Sequence, residues 1–220
     1  MSTSGHLARR VDGRIDDRLA ATIDRTWSHI ASPGSFFSGA ERIQIAALGR
    51  ARRHGDDRPA TTLSAALVET VETFSDRAHT ITAQWVDTRA AAGISRFAYV
   101  ELLAVTCFAV VSDTFEYGIG ACGIGDGLHP LPDPEPGHPT GAVDEQATVD
   151  GGWVPTVGPA FPPTGFSAIP AEHRLMHTLH RELYISVPKM FDLDLVRDGL
   201  ARDQMELVAA RTSLVNDCFF

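Results

Sequence analysis

The chain has 220 residues, 44% hydrophobic and 21% charged, enough for one generous domain or two small ones with an ample core. Its net charge of −9 argues against nucleic acid or an anionic membrane as a partner. Three cysteines, Cys107, Cys122 and Cys218, are too few for a disulfide framework.

Residues 1–10 carry charge without the apolar segment of a signal peptide, and cytoplasm is the expected compartment. Residues 13–30 predict a helix, with Ile15, Leu19, Ile23, Trp27 and Ile30 on one stripe, ended by Pro33 and Gly34. Ser38, with Glu41 three residues on, forms a capping box for a second helix through Ile43, Ile45, Ala46 and Leu48. The mixed-charge stretch 50–59 reads as a solvated loop, because Asp56 and Asp57 interrupt its basic residues. From Ser64 to Gly93 the spacing predicts one long helix, with Leu67, Val71, Phe74, Ala78, Ile81 and Trp85 as its apolar stripe. Ser95 opens the most apolar segment, residues 97–111, which fits a buried bundle helix and is short for a membrane span. Glu101 inside it needs a wet side, an arginine partner or a raised pKa. Cys107 reads as packing.

Between Gly118 and about Pro170, glycines and Pro130, Pro132, Pro134, Pro136 and Pro139 predict no regular element. A connection that long reads as a linker or a strap over the surface, pinned by Trp153 and Phe161. Gly118, Gly120 and Gly123 have the spacing of a dinucleotide fingerprint, but they follow a helix and open none, so no cofactor is expected. Helix resumes at Ala171, with His173, His177 and His180 at i, i+4 and i+7 beside Leu175, Met176, Leu179 and Leu183. Three imidazoles on one face could ligate a metal, yet no Asp or Glu completes a metal motif, and an exposed or interfacial edge is the simpler reading. A turn near Asp194 leads through Leu200 into a terminal helix containing Glu206. Every periodic segment has helical spacing. The expected fold class is all-α, a helical bundle with a long Pro/Gly-rich irregular connection.

Asn216 and Asp217 are good helix N-caps, and a thiol in the first turn, as at Cys218, meets the positive end of the helix dipole, which favours thiolate. Glu206-Leu-Val-Ala, then Asn216, Asp217, Cys218 and the pair Phe219 and Phe220, resemble the alkylhydroperoxidase D / carboxymuconolactone decarboxylase-like family. Its peroxidase members carry a Glu, a Cys-X-X-Cys beginning twelve positions on, and a His four residues past the second Cys. Glu206 and Cys218 have that spacing of twelve, and the sequence holds only the first cysteine of the pair. The similarity is looser over residues 170–200. Residues 36–53 resemble the helix before a redox pair, with His54, Gly55, Asp56 and Asp57 where the cysteines would stand.

The resemblance implies an eroded first copy over residues 1–125, a linker or strap over 126–170, and the opening helices of a second copy over 171–220. It implies homo-oligomers, a peroxide substrate and a thiol reductant, with Cys218 and Glu206 as the catalytic residues. Three expectations stand side by side. The chain is clipped inside its motif, for instance at a codon meant for selenocysteine; or it is a non-catalytic helical oligomerisation partner; or it performs cysteine-independent decarboxylase-like chemistry, with Glu101 or Glu206 as acid/base.

Overall fold

The computed structural model describes residues 15–124 and 128–215. Within them lie seven α-helices: α1 (Asp17–Ala31), α2 (Gly39–His54), α3 (Ala65–Asp76), α4 (Ala83–Ala91), α5 (Arg96–Ala121), α6 (Pro170–Leu183) and α7 (Arg202–Val215). The fold is all-α. Its one small sheet among the described residues is an antiparallel pair, β1 (Val196–Arg197) and β2 (Leu200–Ala201). No strand was expected there; Asp198 and Gly199, both at positive φ, close the tight turn that makes it.

Side-chain caps start the helices. Asp16 accepts from the amides of Arg18 and Leu19, Ser64 from Leu67, Thr82 from Trp85 and Ser95 from Ala98. Ser38 and Glu41 form the expected capping box. Each such cap satisfies an otherwise orphaned amide and contributes about 1 kcal/mol. α2 runs through Arg50 and Arg53 to His54, into the stretch expected to be a loop, and ends on Gly55 at φ 72°.

Two other expectations are corrected. The stripe from Leu67 to Trp85 does not follow one helix: α3 ends at Asp76, a short turn spans Ala78–Thr80, and Thr82 caps a new helix. The reversal brings Phe74, Trp85 and Tyr99 edge-on to one another, with Phe74 and Tyr99 centroids 5.0 Å apart. α5 also continues through Gly118 and Gly120 to Ala121, a stretch expected to be irregular. At 26 residues it is long and apolar enough to cross a membrane, yet 67% of its apolar window is buried inside this fold. It is the central helix, packed against α1, α2, α3, α4 and α6.

The core closes around it, with Ile23, Trp27 and Ile30 of α1, Ile45 and Leu48 of α2, and Val71 of α3. Leu102, Val105 and Phe108 of α5 and Leu179 of α6 complete it. The irregular stretch after His129 is fastened to the α1–α2 connection by backbone bonds: Glu135 N to Ala31 O (2.9 Å), Thr140 N to Gly34 O (2.9 Å) and Gly141 N to Ser35 O (2.8 Å). Trp153 and Phe161 do not pin it, being 49% and 56% exposed; Thr156, Ser167, Ala168 and Ile169 are the buried anchors. α7 lies at the rim, where Met205 is buried while Leu207, Val208, Leu214 and Val215 face outward.

Candidate functional site

Cys218, with Asn216 and Asp217, lies outside the described residues. Glu206 stands in the second turn of α7. Its carboxylate accepts a hydrogen bond from the Tyr184 hydroxyl and pairs with Arg202 at 2.7 Å, one turn back on the same helix. Tyr184 is placed by Arg197, whose guanidinium donates to the carbonyls of Arg181, Glu182 and Tyr184 and so closes the C-terminal end of α6. Burial, and then the bond and charge of Glu206, push the Tyr184 phenol above its ordinary range. A cleft of about 370 Å³, lined by Leu19, Phe115, Tyr184, Arg197, Met205 and Val208, opens beside this group. Glu206 itself is about half exposed.

Glu101 has found its arginine. Arg42 reaches Glu101 at 2.6 Å and Glu172 of α6 at 2.8 Å through the same nitrogen, and all three side chains are fully buried. Arg42 also donates to the carbonyls of His29 (3.2 Å) and Ile30 (3.3 Å). The second oxygen of Glu101 accepts from the Phe36 amide at 2.6 Å, and that of Glu172 meets His29 Nε2 at 2.8 Å. Burial pushes the Glu101 carboxyl up against the pull of Arg42. Burial also opposes the charge on Glu172, but the His29 bond and Arg42 outweigh it and hold that carboxyl below the usual range. Gly34 is the floor of this cluster. A Cβ there would lie 1.9 Å from Glu101 Oε1 and 2.3 Å from Arg42 Nη1. Both Glu101 oxygens are engaged by protein groups, which leaves it a structural ion-pair partner, unsuited to the acid/base role considered for it.

A second cluster sits at the other end of α5. Asp113 receives Arg50 through two nitrogens (2.6 and 3.1 Å) and Arg53 at 2.7 Å. One turn on, buried Glu116 accepts from Trp27 Nε1 (2.8 Å), from the His129 amide (2.9 Å), and from the His129 ring at Nδ1. Arg50 donates to the His129 carbonyl at 2.7 Å and lies 5.3 Å over the Trp27 ring. Asp24, Trp27, His129, Leu131 and Asp133 line a cleft of about 310 Å³ against this cluster. A carboxylate fixing one imidazole nitrogen in a cleft wall is the arrangement that general acid–base chemistry uses. Arg50 and Arg53, expected in a solvated loop, are instead helical and part of this cluster, in which no role was expected for Asp113, Glu116 or His129. The available signal was Asp113 and Glu116, two carboxylates one turn apart in a largely apolar helix.

The described thiols make no redox pair. Cys107 borders an apolar cavity of about 260 Å³ with Phe108, Val111, Phe166, Met176 and His180, and burial pushes its thiol up to about 11. Cys122 is exposed. The three histidines of α6 divide: His173 and His177 face each other, Nε2 to Nε2 at 3.2 Å, while the His180 ring packs edge-on against Tyr184 at 5.4 Å. Among the described residues, no group of three or more His, Cys, Asp and Glu is arranged to hold a metal ion. The chain matches no protein-family model, and neither curated proteins nor solved structures offer a detectable relative.

Proposed function

We propose that the protein is a thiol-dependent peroxidase-type oxidoreductase of the alkylhydroperoxidase D-like kind, with Cys218 as its thiol and Glu206 as its proton-handling carboxylate. The observation that carries this reading is the Glu206–Tyr184–Arg202 group, a half-exposed carboxylate with a phenol donor at the edge of a cleft. The twelve-residue spacing to Cys218 supports it. In this chemistry a thiolate attacks a peroxide oxygen, the O–O bond breaks, and water or alcohol leaves with a proton, leaving a sulfenic acid. A second thiol condenses with it, releasing water and forming a disulfide that a further thiol reduces. In the arrangement the resemblance implies, Cys218 is the thiol that condenses with a sulfenic acid formed on the other cysteine of the pair, and an external thiol reduces the resulting disulfide. Glu206 and Tyr184 supply a path for the departing proton. The exposed apolar residues of α7 favour a homo-oligomer, and the compartment we propose is the cytoplasm.

The test is dithiol-dependent consumption of cumene hydroperoxide by the full chain. Cys218→Ser abolishes turnover, and Glu206→Gln lowers it by about a hundredfold. Turnover indifferent to Cys218→Ser overturns the reading. The Glu116–His129 cleft favours a second reading, cysteine-independent acid–base chemistry on a small organic substrate, in which His129→Gln rather than Cys218→Ser removes activity.

A further inference from the structure

We propose that His173 and His177 form a two-imidazole binding site for a divalent late transition-metal ion (Zn²⁺, Ni²⁺ or Cu²⁺) on the outward edge of α6. The two residues are one turn apart, so their side chains project from the same side of the helix. Their Nε2 atoms lie 3.2 Å apart. Two imidazole nitrogens bound to such an ion at about 2.0–2.1 Å each, and 3.2 Å from one another, subtend roughly 100° at the metal, near the tetrahedral angle. The spacing is therefore what a bidentate ligand pair needs. Without an ion, one ring donates to the other; an ion replaces the shared proton.

The helix beneath is fixed before any ion arrives. Leu175, Met176, Leu179 and Leu183 pack against the core, and Glu172, next in sequence to His173, is held by Arg42 and His29. Binding then costs only the ordering of two half-exposed rings. His173 Nδ1 makes no hydrogen bond in the fold, so no other acceptor holds the ring away from this geometry. His180 does not complete the set, because its ring turns to Tyr184 and the Cys107 cavity. With no third described ligand, water or an added small ligand fills the remaining positions. The all-nitrogen pair selects against Mg²⁺ and Ca²⁺, which prefer oxygen.

The test uses the full chain without an affinity tag, titrated calorimetrically with Ni²⁺ and, in parallel, with Mg²⁺. One Ni²⁺ binds per chain. His173→Gln and His177→Gln each weaken it by about tenfold or more, with unchanged helical circular dichroism, and His180→Gln leaves it as it was. Mg²⁺ gives no heat of binding, and Cu²⁺ bound to the same protein shows an electron paramagnetic resonance spectrum split by two nitrogens. Saturable Ni²⁺ binding that survives the His173→Gln/His177→Gln double substitution overturns the proposal, since the sequence holds nine histidines. Failure of the native chain to bind any of the three transition ions overturns it equally.

Discussion

The two charge clusters on α5, one at Glu101 and one at Asp113 and Glu116, lie about 18 Å apart along a single helix and are built for different ends. The first sets one guanidinium against two carboxylates, all three at zero exposure, with Gly34 wedged beneath and backbone amides and carbonyls taking up the remaining bonds. The second sets Arg50 and Arg53 against Asp113, hands Glu116 to Trp27 and His129, and borders a cleft. The difference lies in access. A sealed network can only fix the positions of the helices that contribute to it, whereas a network in a cleft wall can also meet a solute. Depth of burial alone therefore does not separate the two, since Glu101 and Glu116 are equally buried and only the second cluster has a partner, His129, in a cleft wall.

The largest break in this contrast is Arg42→Met. It leaves Glu101 and Glu172 buried without their cation and destabilises the fold by about 3–5 kcal/mol, measured by denaturant unfolding. Gly34→Ala forces a methyl group into the space of Glu101 Oε1 and costs about 1–3 kcal/mol. The same substitution at Gly118, where an added Cβ meets nothing within 4 Å, removes helical glycine and does not destabilise. Glu116→Gln keeps the shape of its cluster and loses a charge-assisted bond, costing about 1–2 kcal/mol; the fluorescence of Trp27 reports the altered contact.

The smallest effect is the pH dependence, where the two glutamates act with opposite signs. Glu172 is held below the usual range, so its contribution is present above that range and is lost as pH falls through its folded pKa. Glu101 is pushed up, so its contribution is greatest below the ordinary glutamate value and is lost as pH rises through its folded pKa. Glu172→Gln flattens the acid limb of the stability curve, and Glu101→Gln removes the decline above it. Acid curves of one shape for all three proteins would sink the assignment.

What the sequence revealed and concealed divides along the same line. Ser38 with Glu41, Ser64 and Ser95 were readable because a cap and its helix are neighbours in the chain. The need of Glu101 for an arginine was readable too, but not which one. Arg42 is 59 residues away, and the chain offers nineteen lysines and arginines. The break between α3 and α4 was hidden for another reason: the apolar spacing stays in phase across it, and only Thr82 marks the new start. Of the His129 cleft only the carboxylates behind it, Asp113 and Glu116, left a signal, since its walls come from α1 and a proline-rich stretch with no period of its own.

The ion pair between Arg42 and Glu172 spans 130 residues, and that separation bears on how the protein is made. At synthesis rates of about 5–20 residues per second, Glu172 is joined to the chain on the order of ten seconds after Arg42. Once α5 has brought Glu101, the first five helices hold a guanidinium with one of its two carboxylate partners until Glu172 arrives. The N-terminal bundle therefore reaches its final depth only after α6 is delivered.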